Sequence, residues 1–246
     1  MWYSKIMEDL KTAGIIGYGQ IGKAIAQFYI DPKIKDLNRD DGLKGVDVLN
    51  ICIPYNEDFV KIVEKEIAEI KPKLTIIHST VEPGTTKKIG GMIVHSPVRG
   101  VHPYLCQSIK SMVKYIGADV LEAGIMAEEH LKSLGIKTKA YGPSTTTEVG
   151  KILSTTYYGL CIAWHGEMEK VCDKFKISFD EAVTHFNTTY NEGYVKIGKE
   201  NVVRPVLRPP KDNKIGRHCI IPNAKILKKY LDSEAIDLIL KYNKDG

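Results

Sequence analysis

Gly14-Ile15-Ile16-Gly17-Tyr18-Gly19-Gln20-Ile21-Gly22 decides how the rest of the chain reads. Ile15 and Ile16 end a short apolar run, and Gly17, Gly19 and Gly22 form G-x-G-x-x-G. Ile21, Ala24, Ile25, Phe28 and Tyr29 then fall at the spacing of one helix face. Strand, glycines, amphipathic helix is the order in which this motif signals a dinucleotide site. The first glycine allows the tight turn, the second lets backbone approach a pyrophosphate, and the third lets helix pack close to strand. Free N–H groups at the helix start face the phosphates. Gly17, Tyr18, Gly19, Gln20, Ile21 and Gly22 are therefore the first cofactor candidates. Asp36 lies about twenty residues beyond the first glycine, where an acid holds the adenosine ribose. Asp36 favours NAD. Arg39 keeps NADP open, because an arginine there accepts a 2′-phosphate. The plainer alternative is a glycine turn in some other α/β protein.

Composition narrows the class. The chain has 246 residues, 43% hydrophobic and 26% charged, as an ordinary soluble globular protein does. That length builds one large or two modest domains. No apolar run reaches the length of a membrane span, so no membrane partner is expected. Met1 to Lys11 lacks a signal-peptide core. Cys52, Cys106, Cys161, Cys172 and Cys219 are scattered, with no C-x-x-C pair. Neither a disulfide framework nor a metal site is indicated, and the reduced cytoplasm is the expected location. The net charge of +5 suits a small anionic ligand. The basic stretch is not interleaved with stacking aromatics, so no nucleic-acid partner is expected.

Along the chain, residues 33–38 read as a second strand and Val46 to Pro54 as a strand buried on both faces. Asn56 caps a helix with Phe59, Ile62, Val63, Ile67 and Ile70 on one face, ended by Pro72. Strands follow over residues 74–78, 92–95 and 137–141, with a helix over 119–134 between the last two. Alternating strands and helices predict an α/β fold, a Rossmann-like doubly wound parallel sheet. Pro143 marks the boundary between a cofactor domain, 1–143, and a mainly α-helical second domain, 144–246. There Thr145-x-x-Glu148 reads as a capping box opening a long helix, and Ser178-x-x-Glu181 opens another. Ligands in such sheets sit beyond the carboxyl ends of the strands. That points to Pro54-Tyr55, to Ser79-Thr80, and to Ser96 through His102.

Several stretches together resemble the UDP-glucose/GDP-mannose dehydrogenase family. They are Gly17 to Gly22, Val46 to Pro54, Ser79-Thr80-Val81-Glu82-Pro83-Gly84-Thr85, Ser96-Pro97, Glu148-Val149-Gly150-Lys151, and Gly216 to Ile220. The resemblance implies an NAD-binding domain, a helical central domain that dimerises, and oxidation of an anionic sugar or nucleotide sugar to an acid. It implies that Cys219 forms a thiohemiacetal and thioester, that Lys151 stabilises oxyanion charge, and that Thr80 helps hold water. Pro54 and Thr80 join the cofactor set. The departures lie on the substrate side. The family's two glutamates after Ser-Pro are Val98 and His102 here, its asparagine after the lysine is Thr155, and its aspartate after the cysteine is Asn223. The family's third, nucleotide-holding domain has no counterpart before Gly246, so a truncated relative is expected.

Each chemical candidate has a plainer reading. A Cys219 thiolate beside Lys214, Arg217 and His218 would be stabilised and reactive, or Cys219 is a small buried thiol. Lys151 steadies a developing alkoxide, or is a helix lysine paired with Glu148. Thr80 is catalytic or a turn hydroxyl. His102 is a general base, or a loop histidine satisfied by backbone. Arg99, Arg204, Arg208, Lys211, Lys214 and Arg217 clamp an anion, or are simply solvated. Two further functions remain open: a two-electron hydroxyacid or prephenate-type dehydrogenase, which leaves Cys219 idle, and a non-catalytic NAD-binding relative.

Overall fold

A computed structural model describes residues 10–216 and 219–243. The chain divides into two compact units, with the break between Lys151 and Ile152.

The first unit is built on one eight-stranded sheet in the order β3-β2-β1-β4-β5-β6-β7-β8. β1 is Ala13–Ile16, β2 Lys33–Asp36, β3 Arg39–Asp40, β4 Val48–Ile51, β5 Leu74–Ile77, β6 Ile93–His95, β7 Lys114–Gly117 and β8 Thr138–Tyr141. β2, β1, β4, β5 and β6 run parallel. β3 is antiparallel to β2, and β7 is antiparallel to β6 while parallel to β8. The sheet is thus mostly, not wholly, parallel. β7 escapes the sequence reading because it opens on Lys114, a residue type read as exposed that is buried here.

Neighbouring residues of each central strand face opposite layers, as a period of two requires. Ile15, Val48, Ile76 and Val94 belong to one core, and Ile16, Leu49, Ile77 and Ile93 to the other. The helices are α1 Gln20–Ala26, α2 Phe59–Ile70, α3 Thr85–Ile89, α4 Leu105–Ser111 and α5 Leu121–Ser133. α1 is shorter than its apolar spacing predicts. Phe28 and Tyr29 pack on the core from a turn that follows it. On α2 the buried positions are Phe59, Val63, Glu66 and Ile70. Ile62 is exposed, and Glu66 is held by Lys35 Nζ at 2.7 and 2.8 Å. The α2 N-cap is Asp58, and Asn56 instead accepts the Asp58 N–H at 3.1 Å. Lys71 takes a left-handed conformation (φ 56°) to end the helix before Pro72.

The second unit is helical. It takes most of α6, Thr145–Phe175, then a π-helical turn, Asp180–His185, that runs into α7, Phe186–Lys196. α8 Ile220–Lys228 and α9 Glu234–Lys241 complete it. Ala163, Ile215, Ile220, Ile221, Ala224, Ile236, Ile239 and Tyr242 form its core. Ser178 accepts the Glu181 N–H at 3.3 Å, as an N-terminal cap does. Gly159 allows Ile220 to approach: a Cβ there would lie 2.4 Å from the Ile220 side chain.

Candidate active site

The three glycines of the turn differ in what they permit. Gly17 has φ +90°, and a Cβ on it would sit 2.9 Å from Cys52 and Ile53 backbone. Gly22 lies against the turn itself, where a Cβ would meet the Gly17 carbonyl oxygen at 2.0 Å. Gly19 has nothing within 4 Å of an added Cβ. A tight turn, a close approach and an open cradle are what a pyrophosphate needs from these positions. The residues present therefore fit a dinucleotide. The Gly17 N–H donates to Lys35 O at 2.9 Å, which fixes the end of β2 and Asp36 beside the turn. Asp36 faces Arg39 across the β2–β3 hairpin. Arg39 is already engaged. Its guanidinium bonds Asp41 at 2.6 to 3.0 Å and lies 5.6 Å from the Tyr18 ring centre.

The strand ends beyond β4, β5 and β6 are stitched together. Ser79 Oγ donates to Ile53 O at 2.6 Å, one residue before Pro54. His95 Nε2 donates to Ser79 O at 3.0 Å, since a carbonyl only accepts. His95 Nδ1 then accepts from Thr147 Oγ1 at 2.8 Å. Burial holds His95 neutral, with its pKa down to about 3. Thr80, half-buried, follows Ser79 directly. The loop after it is anchored by Glu148, which is fully buried. Its carboxylate accepts the Gly84 N–H at 2.6 Å, the Thr86 N–H at 2.8 Å and the Thr86 hydroxyl at 2.7 Å. Glu148 therefore does not close a capping box on its own helix, as Thr145-x-x-Glu148 suggested. It spends its acceptors on another segment.

A buried polar chain lies behind these loops. Tyr29 OH meets His130 Nε2 at 2.9 Å and donates to Asn50 Oδ1 at 3.3 Å. His78 Nε2 lies 2.9 Å from Asn50 Oδ1, and His78 Nδ1 lies 3.2 Å from Ser96 O. Lys114 Nζ donates to Ser96 O at 2.5 Å and to Pro97 O at 3.3 Å. Desolvation pushes the Lys114 ammonium down to about 7 and the His130 imidazole to about 4, and it carries His78 well below its usual range. Nearby, burial pushes the Cys52 thiol up to about 12. Sequence reasoning passed over Lys114, because lysine is read as a surface residue by default. It read Glu148 only as a helix cap or a partner of Lys151, and His95 only as the end of a strand.

The remaining candidates are placed as follows. Gly17 to Gly22, Pro54, Thr80 and His102 lie past strand ends of the first unit, Asp36 is the last residue of β2, and Lys151 is the last residue of the unit. His102 is exposed, in the loop between β6 and α4. Val98, in the place of the family's first glutamate, is buried in the core. Cys219 belongs to the second unit and is exposed at the N-terminus of α8, which removes the buried-thiol reading. One turn on, Asn223 is buried, and its amide nitrogen has no hydrogen-bond partner among the described residues. Arg217 and His218, invoked beside Cys219, lie outside the described residues. Three of the proposed anion clamps have other work. Arg99 donates to Val113 O, Arg208 pairs with Asp180, and Arg204 stacks on Tyr190 with 4.4 Å to the ring centre.

No protein-family model matches the chain. A UDP-N-acetyl-D-mannosamine dehydrogenase of Methanococcus maripaludis is 28% identical over 207 residues, covering 76% of this chain and 45% of that protein. Its Pyrococcus horikoshii namesake is 25% identical over 180 residues, 63% of this chain and 43% of that one. The chain thus spans less than half the length of the curated relatives it matches. Among solved structures, the UDP-D-ManNAc dehydrogenase of P. horikoshii superposes with TM-score 0.75 at 18% identity, over 95% of this chain and 68% of that one. A Mycobacterium tuberculosis 3-hydroxyisobutyrate dehydrogenase superposes with TM-score 0.71 at 14% identity, over 96% and 94%.

Proposed function

We propose that this chain belongs to the UDP-glucose/GDP-mannose dehydrogenase family and is an NAD-dependent dehydrogenase acting on the CH–OH group of a nucleotide sugar. The observation that carries the proposal is the glycine turn. It combines an open position at Gly19, forced glycines at Gly17 and Gly22, and Asp36 beside them. The names of the sequence relatives point to a UDP-N-acetylhexosamine as substrate class.

In this reading the Gly17–Gly22 backbone holds the pyrophosphate and Asp36 the ribose hydroxyls. Pro54 and Thr80 border the cofactor at the strand ends. NAD, when bound, supplies the acceptor for each two-electron step. His102 takes the carbinol proton, and the Lys151 ammonium steadies negative charge on the carbinol oxygen. Cys219 would add to the aldehyde as thiolate to give a thiohemiacetal. Loss of a second hydride from that carbon to NAD would give the thioester, and a water held by Thr80 would hydrolyse it to the acid and the free thiol. The exposed position of Cys219 and the buried amide nitrogen of Asn223, without a partner among the described residues, support a role for this corner of the second unit.

A homodimer belongs to the same reading. Leu153, Tyr157, Trp164, Val171 and Phe175 are exposed apolar residues along α6. Their spacing makes one face, the size of a helix–helix seam. Among the described residues no helix is long and apolar enough to cross a membrane. A cytoplasmic enzyme is the proposed setting.

The test is the amount of NADH formed per sugar consumed. Two per sugar in the wild type and loss of the second in Cys219→Ser support the thioester route. One per sugar in both proteins would favour a two-electron dehydrogenase, a reading equally at home on the fold shared with 3-hydroxyisobutyrate dehydrogenase.

A further inference from the structure

We propose that Asp41 sets the preference of this site for NAD over NADP, by holding the Arg39 guanidinium in an ion pair on the Tyr18 ring. The inference rests on the proposed dinucleotide site. The end of β2 carries two opposed signals. Asp36 repels a 2′-phosphate, and an arginine after it attracts one. Which one wins depends on whether that arginine is available.

Arg39 has its planar donor edge filled. Nε donates to Asp41 Oδ1 at 2.9 Å and Oδ2 at 3.0 Å, and Nη2 donates to Oδ2 at 2.6 Å. This is the two-pronged geometry that an arginine otherwise offers to a phosphate. One face of the guanidinium lies over Tyr18, a residue of the glycine turn itself.

Asp41 is not free to swing away. Oδ2 also accepts the Ile34 N–H at 2.9 Å, and the Asp41 N–H donates to Ile34 O at 2.9 Å. The carboxylate is thereby fastened to β2. These contacts lower the Asp41 carboxyl below its usual range and raise Arg39, each first through the side-chain hydrogen bond between them. Asp31 also acts on Arg39 and raises it further. Lys33 Nζ donates to Gly42 O at 2.9 Å, Asp40 accepts the Gly42 N–H at 2.9 Å, and Lys23 Nζ lies 5.9 Å from the Tyr18 ring centre. A 2′-phosphate would have to compete with Asp41 for Arg39 while facing the carboxylates of Asp36 and Asp41. A ribose 2′-hydroxyl faces neither difficulty.

The exposed pair is solvent-screened, so its effect is sought in selectivity and not in stability. The experiment is fluorescence titration of NADH and NADPH against wild type, Asp41→Asn, Arg39→Ala and the double variant. Thermal melts confirm folding, and asparagine keeps the oxygen that accepts from Ile34 while removing the negative charge and the Oδ1 acceptor that hold Arg39. The wild type is expected to bind NADH more tightly than NADPH. Asp41→Asn should shift the ratio toward NADPH by about tenfold or more, the scale of a released charge-assisted contact. Arg39→Ala should abolish that shift in the double variant. A wild type that prefers NADPH, an unchanged ratio in Asp41→Asn, or a shift that survives removal of Arg39 would each overturn the assignment of Asp41. Binding of neither dinucleotide would instead overturn the cofactor site and this inference with it.

Discussion

Glu148 accepts both the backbone N–H and the hydroxyl of Thr86, at 2.8 and 2.7 Å, with its carboxylate wholly buried. The first turn of α6 is thereby tied to the segment that follows Thr80 and Glu82. Glu148→Gln replaces one acceptor oxygen by an amide donor that faces N–H groups. We expect a loss of roughly 2–4 kcal/mol, as when a buried charged partner is removed. Urea unfolding followed by circular dichroism measures it. A loss within error of zero would mean that the carboxylate does not anchor this segment.

The glycines separate stability from binding. Gly22→Ala drives a methyl into the Gly17 carbonyl and should destabilise by about 1–3 kcal/mol, the usual cost of overpacking. Gly19→Ala meets no atom within 4 Å and should leave the melting temperature unchanged. It should nevertheless weaken NADH binding, because the methyl occupies the cradle. Equal melting temperatures for both variants would contradict the turn geometry.

Lys114 links stability to pH. Its folded pKa is about 7, against about 10.4 in an unfolded chain. Between those values the unfolded chain holds a proton that the folded chain has released, so this group makes stability rise with pH. Below pH 7 both states are charged and the cost of burial is at its full size, roughly 5 kcal/mol. Cys52 acts in the opposite direction at alkaline pH, because its folded pKa is raised to about 12. The difference between wild type and Lys114→Met isolates the lysine. That difference should narrow steadily from pH 7 to pH 10, as read by denaturant unfolding at each pH.

His95 acts on the acid side. Its folded pKa of about 3 lies below the unfolded value of about 6.5. The stability it contributes is present above pH 6.5 and is lost as pH falls toward 3. His78 and His130, also depressed by burial, add to the same loss. Acid unfolding of His95→Gln, followed by circular dichroism, should take up about one proton fewer than wild type. An identical proton uptake would show that His95 is charged in the fold.

The cofactor half was legible in the sequence because its demands are local. Glycines at 17, 19 and 22 and the apolar runs at β1, β4 and β5 declare themselves by spacing and burial on both faces. β7 was not legible, since it is held in place by pairing with β6 and β8 and opens on a buried lysine. The role of Glu148 was not legible either. The same four-residue spacing suits a capping box and a carboxylate turned to another segment, and only the fold chooses between them. Arg39 shows the converse. Its type and position announce an anion site, while Asp41, two residues on, has already taken that charge.

The measurement that bears most directly on the proposed activity is absorbance at 340 nm after NAD and a UDP-N-acetylhexosamine are added to the protein, with other nucleotide sugars and hydroxy acids alongside. NADH accumulation with a nucleotide sugar is the predicted result. A flat trace with every nucleotide sugar, from protein shown by titration to bind NADH, would contradict the dehydrogenase assignment and leave a dinucleotide-binding relative without turnover.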